Sequence, residues 1–417
     1  MFDKMRGKRP KPQDVFVPGA PPLGAENVYT SRRQAESDLS TTLEENGIPV
    51  IWGDYGVGKT TLVQRHLLDE HLDDNLLYIT SVSGLEMQDV FKAILEHLGY
   101  EIRTSRSRAI TADGRMEINA YFAKGQAGEE EQNNETHELV VKAPTDLSIN
   151  RIINERQLTI VLDEMHTASD ELRADLSAWM KSTRTQMSPT KCSIVVVGTS
   201  GDASSLVALD EGLNRHLAEI KVDLLTSEEA GYIIDEGMNR LNLTIKSDLR
   251  RRLIAIAAGA PVLIQRLCLD ASRNAMSNSR NQIAEEDIKH SIQRYLSFHG
   301  RRLYELYSKA VETTGAKRYR KQILRAVAEA PNEFATMEEI KAGVSKFLGE
   351  AVPAESLSGP LRDLRLEKYG TILKDVERAD GERVYNYTRF SDPMMKAFVR
   401  FVHEVEEVLE DHPAVEA

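Results

Sequence analysis

The sequence predicts an α/β fold built on a parallel sheet, and three observations carry that expectation. Apolar, β-branched runs alternate with segments of helical period through the first half of the chain. The first run, Pro49-Val50-Ile51-Trp52, leads straight into a glycine-rich turn, and a later one, Leu158–Leu162, ends in paired acids. Four- to five-residue apolar runs bounded by polar residues suit strands buried on both faces, which is how parallel sheets are built.

Each element follows in order. Residues 1–28 carry Pro10, Pro12, Pro18, Pro21 and Pro22 among Lys4, Arg6, Lys8, Arg9 and Lys11, so an extended basic arm is expected there. A helix over Arg32–Glu45 precedes the first strand, and a helix from Thr61 to Leu72 follows the turn. Leu76–Thr80 reads as a strand, and Met87, Val90, Phe91, Ile94, Leu95 and Leu98 keep the 3.6-residue period of a helix. Ile194–Val197 repeats the buried-strand pattern. Between these, at about 103–144, two strands near Met116–Phe122 and Glu138–Lys142 flank the acidic Glu129-Glu130-Glu131, an inserted hairpin with a solvated tip. This first domain is expected to span 29–225.

From Thr226 the pattern turns helical. Thr226-Ser227-Glu228-Glu229 is a capping box. Further helices are expected after Ser247-Asp248, from Pro261, and from Ile283-Ala284-Glu285, forming a helical lid over 226–300. Within 301–417, helices at Tyr319–Ala330, Met337–Leu348 and Ala354–Lys368 precede strands at Thr371–Val376 and Val384–Thr388. These flank Asp380-Gly381, a hairpin dipeptide, and a terminal helix closes the chain. Three helices and a hairpin make the winged-helix order.

Composition bounds the function. The 417 residues hold 53 Lys/Arg against 65 Asp/Glu, a formal charge of −12, with 28% charged and 6% aromatic residues. Such a balance excludes a surface coated throughout with phosphate-binding charge, although residues 316–390 alone hold fourteen basic against twelve acidic side chains. Two cysteines, Cys192 and Cys268, make no disulfide framework and no zinc pattern. The opening MFDKMRGKRPKP lacks the apolar stretch of a secretory signal, and no run approaches the roughly 18 apolar residues of a membrane span. A soluble, cytoplasmic chain is expected.

The turn Gly53-Asp54-Tyr55-Gly56-Val57-Gly58-Lys59-Thr60 matches G-x-x-x-x-G-K-[ST] between a strand and a helix, the context in which that motif cradles phosphates. Its glycines let successive backbone N–H groups, through Thr61, point inward at the positive end of a helix. Lys59 would reach the β- and γ-phosphates and Thr60 would place a hydroxyl on Mg²⁺. Asp163 would hold Mg²⁺ from the carboxyl edge of the sheet, and Glu164 would polarise a water aimed at the γ-phosphate. Thr199, or Ser200 beside it, ends the next strand and either contacts the γ-phosphate or caps the turn. His166 reads as a surface or helix-capping residue, with no second ligand spaced for a metal.

The ordered set GDYGVGKT, LTIVLDE and IVVVGTS, followed by a lid and a winged helix, resembles the AAA+ ATPases over roughly residues 28–395. The branch holding origin-recognition-type and transposition-regulator ATPases is the most similar. The Gly259-Ala260-Pro261 turn is shared with the signal-transduction NTPases. The resemblance implies ATP and Mg²⁺ as cofactors, Thr199 as first sensor, and Asn27, Val28 and Tyr29 packing on the adenine. It implies Pro261 near the base or ribose. Arg215, in Leu213-Asn214-Arg215-His216-Leu217, stands where this family reaches into a neighbouring subunit of a homo-oligomer; the alternative is a surface salt-bridge partner. The chain departs from the origin-recognition pattern at the lid: Gly259-Ala260-Pro261-Val262 stands where a second-sensor arginine belongs, with Arg266 one turn later. Expected partners are double-stranded DNA or a protein bound through the winged helix, with Arg362, Arg365 and Lys368 on its third helix and Lys374, Arg378 and Arg383 on its wing. The alternative is a nucleotide switch with little turnover.

Overall fold

The computed structural model describes residues 10–69, 75–104, 120–124, 146–184, 192–199, 203, 206–207, 211–312, 319–332, 334–380, 383–392 and 394–410. Lys4, Arg6, Lys8, Arg9, Glu129-Glu130-Glu131, the strand expected at Glu138–Lys142, Ser200 and Gly381 lie outside them. The chain separates into two compact units. One holds the described residues of 34–52 and 66–221, the other those of 1–33, 53–65 and 222–417.

The first unit is built on strands β1 (Ile48–Gly53), β2 (Leu76–Thr80), β5 (Thr159–Asp163), β6 (Ser193–Thr199) and β7 (Leu217–Lys221), in the order β2-β5-β6-β1-β7. Pairing is parallel at β2–β5, β5–β6 and β1–β7. Every residue of β5 is buried, as its unbroken apolar run requires. Helices α4 (Met87–His97) and α6 (Asp170–Arg184) supply much of the core, where Phe91 meets Trp179 edge to face at 5.7 Å. The Trp179 indole N–H donates to Asn150 on α5 (Asp146–Arg156), so the buried ring keeps its polar handle satisfied. The inserted hairpin differs from expectation. Its described strands are β3 (Tyr100–Thr104) and β4 (Ala120–Lys124), paired antiparallel, so the first strand forms at the end of the helical turn before the insertion.

The second unit begins with α1 (Pro12–Val15), and here the expected extended arm is corrected from residue 10 onward. Val15, Phe16 and Val28 are fully buried in the core of this unit, because the apolar trio Val15-Phe16-Val17 interrupts the Pro/Lys pattern and finds a hydrophobic seat. The seat is Gly237 on α8 (Ser227–Arg240): a methyl there would lie 2.2 Å from the Phe16 ring. The capping box forms, with Glu229 N–H donating to Thr226 Oγ1 and Thr226 N–H to the Glu229 carboxylate. Helices α9 (Ser247–Ala257), α10 (Pro261–Ser277) and α11 (Glu285–Arg294) follow in the segment expected as a lid.

Beyond α12 (Arg301–Val311), helices α13 (Tyr319–Glu329), α14 (Met337–Leu348) and α15 (Ala354–Asp363) precede the antiparallel pair β10 (Leu373–Asp380) and β11 (Arg383–Phe390). Helix α15 ends at Asp363, five residues before the expected end. The chain bends there to bury Leu364, and a short helical turn, Glu367–Tyr369, leads into Gly370 at φ 84°. Arg365, expected on a DNA-facing helix, donates to Thr388 and pairs with Asp375, bracing the hairpin from within. Helix α16 (Met394–Glu410) buries Phe398, Val399, Phe401 and Val402 against the same core and packs on α13 and α9.

Candidate nucleotide site

Strand β1 ends at Gly53, and the loop that follows opens helix α3 (Lys59–Asp69). Two glycines are dictated by geometry. Gly53 has φ 147°, and a methyl on it would stand 2.3 Å from the Val222 carbonyl oxygen, backbone that cannot step aside. Gly58 has φ 96°, and its missing methyl would lie 3.8 Å from Pro261 Cγ. The proline of the Gly-x-Pro turn therefore stands beside the last glycine of the loop. Lys59, 8% exposed, donates from Nζ to the Gly53 and Asp54 carbonyls at 3.2 and 2.9 Å, so its ammonium lies folded over the mouth of the loop. Thr60 and Thr61 are half-buried on the first turn of α3, Val57 is buried, and Tyr55 is exposed.

The segment expected at the adenine is held on the lid of the same unit. Gln265 on α10 accepts from Val17 N–H at 3.1 Å and donates to the Val28 carbonyl at 2.9 Å. Arg240 donates to the carbonyls of Ala25 and Asn27, and Asn27 to that of Asp14. Tyr29 is half-buried next to this clamp. Gln265 is a residue that sequence reasoning missed; a polar side chain directly after the apolar Pro261–Ile264 stretch is its only signal. The Gly259 turn is tight, with φ 73° and its carbonyl accepting from Leu225 N–H at 2.8 Å. Arg266 faces a different environment: burial lowers its pKa and the nearby Asp270 raises it, against the arginines Arg273 and Arg294.

In the sheet unit, Asp163 ends β5 with 7% exposure, and its Oδ1 accepts from Glu164 N–H at 2.7 Å. Burial and then the Asp163 charge raise the pKa of the Tyr78 phenol on β2, which marks the acid as a local source of negative field. Glu164 adopts a left-handed backbone (φ 57°, ψ 31°), a conformation a non-glycine residue holds only when its surroundings enforce it. The result lifts its side chain to 40% exposure at the carboxyl edge of the sheet. Thr199 ends β6, 8% exposed.

His166, expected at the surface or capping a helix, is 29% exposed on the short turn Met165–Thr167. Its Nδ1 lies 3.4 Å from both Thr199 N and Glu164 Oε2, so the ring stands between the paired acids and the end of β6, bonding to one or the other. Gly198 makes this approach possible, since a methyl there would fall 2.4 Å from Leu206 and 3.3 Å from His166 N. Arg215 follows α7 (Glu211–Asn214); it is exposed and donates to His216 Nε2 at 3.1 Å. Burial, then Arg215 and Arg184, push the His216 pKa down.

A carboxylate and a hydroxyl are hard oxygen donors of the kind Mg²⁺ takes, and that ion characteristically keeps water and substrate phosphates as most of its shell. Asp163, buried and ending a strand, and Thr60, on the first turn of a helix, fit that chemistry. Among the described residues no cluster of three or more His, Cys, Asp or Glu offers an all-protein metal cage, and no helix is long and apolar enough to cross a membrane.

The AAA domain family matches residues 42–207, which takes in the loop, the paired acids and the strand that ends at Thr199. A Walker-type ATPase of Pyrococcus abyssi shares the fold with a TM-score of 0.52 at 16% identity, over 91% of this chain and 98% of that one. Cdc6p from Pyrobaculum aerophilum aligns with a TM-score of 0.44 at 17% identity, over 95% and 98% of the two chains. No curated protein matches the sequence.

Proposed function

We propose that the chain, whose residues 42–207 match the AAA domain family, is an ATPase whose nucleotide state controls self-association and the engagement of DNA or a protein partner. The observation that carries the reading is the loop at the end of β1. Gly53 and Gly58 are in conformations reserved for glycine, and Lys59 sits at the first position of the following helix with its ammonium over the loop mouth. A triphosphate competes for that ammonium and for the N–H groups of the first turn of α3. Thr60 and Asp163 would hold Mg²⁺, which when bound neutralises phosphate charge. Glu164 would orient the attacking water, with Thr199 reporting the γ-phosphate through the end of β6. Tyr29 and Pro261 would border the base, and Arg215, exposed just after α7, would complete a neighbouring copy's site. The C-terminal helices and hairpin would act as a winged helix. Arg362 and Lys368 remain exposed for a phosphate backbone, whereas Arg365 is engaged internally.

The test is phosphate release by wild type, Lys59→Ala and Glu164→Gln, with and without double-stranded DNA. Lys59→Ala is expected to lose nucleotide binding. Glu164→Gln is expected to keep ATP bound while turnover falls by at least about 10². Hydrolysis by Glu164→Gln at the wild-type rate would remove Glu164 from the water-activating role.

A second reading, a latch that binds ATP with negligible turnover, is favoured by the Gly-x-Pro turn beside Gly58. Tight binding by wild type without phosphate release, under every assembly condition, selects it.

A further inference from the structure

Phosphate binding does not account for Asp54. A carboxylate in the second position of a phosphate cradle opposes an incoming anion, since like charges a few ångström apart repel strongly outside bulk water. Its surroundings supply the balance. Asp54 Oδ1 accepts from Lys396 Nζ at 3.1 Å, and Oδ2 lies 2.9 Å from the same Nζ and 3.9 Å from Arg400 Nη1. Lys396 and Arg400 stand four residues apart on α16 and so share one face of it. Lys396 is only 6% exposed, and its Nζ also donates to the Asn332 carbonyl at 2.7 Å, beyond the end of α13. Burial lowers the pKa of Arg400, and Asp54, then Glu329, raise it. The Asp54 carbonyl, meanwhile, accepts from Lys59. One residue of the loop therefore touches the phosphate-binding lysine through its backbone and the terminal helix through its side chain, across 342 residues of sequence.

We propose that Lys396 and Arg400 are positioning residues for nucleotide binding, and that through Asp54 they tie occupancy of the phosphate loop to the docking of α16. The proposal rests on the nucleotide reading above. Two cations on one carboxylate turn the local charge from −1 to +1, so the clasp favours an adenosine di- or triphosphate on the loop. Without Lys396, the Asp54 carboxylate faces the phosphates with Arg400 alone, at the longer distance. Coupling is reciprocal: whatever α16 contributes to nucleotide affinity, bound nucleotide returns to the docking of α16. The terminal helix thereby senses the loop without touching the ligand.

The experiment uses the full chain. Fluorescent ADP and ATP analogues are titrated into wild type, Lys396→Met, Lys396→Arg, Asp54→Asn and the Lys396→Met/Asp54→Asn double variant. Amide exchange along α16 is followed with and without nucleotide. Lys396→Met is expected to weaken binding about five- to fifty-fold, the range of ordinary allosteric couplings. Lys396→Arg should retain most of the affinity, and adding Asp54→Asn to Lys396→Met should recover most of the loss, because it removes the uncompensated charge. Nucleotide should slow exchange in α16 of wild type and not in Lys396→Met or Asp54→Asn. Failure of wild type to bind either analogue overturns the loop reading itself. Wild-type binding with an α16 indifferent to nucleotide, or a Lys396→Met defect that Asp54→Asn leaves unrepaired, overturns the clasp alone. If Lys396→Met does not fold, the α16 exchange of Lys396→Arg and Asp54→Asn decides: nucleotide-dependent slowing that persists in Asp54→Asn sinks the proposal.

Discussion

Gly53 sets the geometry of the loop at the scale of a single residue. Both its φ of 147° and the Val222 carbonyl 2.3 Å from a would-be methyl forbid a side chain. Gly53→Ala is therefore expected to lower stability by about 2–4 kcal/mol, a size seen when backbone strain adds to a clash. Chemical denaturation would measure it, and nucleotide affinity would fall with it. Much at this scale was legible beforehand. The spacing of Gly53, Gly58, Lys59 and Thr60 identifies the loop because a phosphate cradle demands glycine conformations and a helix start at fixed offsets. The partners of Asp54, Gln265 and His166 were not legible, since each depends on which side chain tertiary packing brings up from a distant part of the chain. Nδ1 of His166 illustrates the point: one nitrogen near both a carboxylate and an N–H serves as donor to the first or acceptor from the second, never both. His166→Ala is expected to uncouple Glu164 from the end of β6, slowing phosphate release more than it weakens ATP binding, as single-turnover assays would show.

Among the elements, the strands at Ile48–Gly53, Leu76–Thr80, Thr159–Asp163 and Ser193–Thr199 were read to within one or two residues because β-branched runs can be buried on both faces only in such a sheet. The lid helices were readable from their caps. Several elements escaped, among them β7 (Leu217–Lys221) and β3 (Tyr100–Thr104), which were not expected as strands at all. The arm carries one apolar trio, Val15-Phe16-Val17, among prolines and lysines, and its burial depends on the gap at Gly237. Phe16→Ala is expected to cost about 3–5 kcal/mol, the usual range for a fully buried ring, read as a loss of lid stability in denaturant. The early end of α15 follows from the burial of Leu364, which helical periodicity does not convey. Helix α16 carries a pH dependence. Burial, with Arg325 and Lys321 adding to it, pulls His403 down to about 4, from 6.5. Its neutral form is the one that folds, so the unfolded chain takes up the proton first as pH falls. Stability from this group is complete above about 6.5, declines between 6.5 and 4, and levels off below, for at most about 3 kcal/mol in all. His403→Gln is expected to flatten that part of the pH–stability curve relative to wild type.

Considered whole, the molecule joins a phosphate loop to a helical C-terminal region, and particle mass with and without a non-hydrolysable ATP analogue tests whether that loop governs assembly. A rise in mass with the analogue, abolished by Lys59→Ala, is the expected result. Mixed Arg215→Ala and Lys59→Ala subunits should then recover activity that neither has alone, since each copy would repair the other's defect. The chain also has two separate hydrophobic cores, and the loop belongs to the unit that holds the lid. Scanning calorimetry should accordingly register two overlapping heat-absorption peaks instead of one. Saturating ADP should move the peak of the loop-bearing unit upward first, so the size of that displacement reports affinity without any label or enzymatic assay.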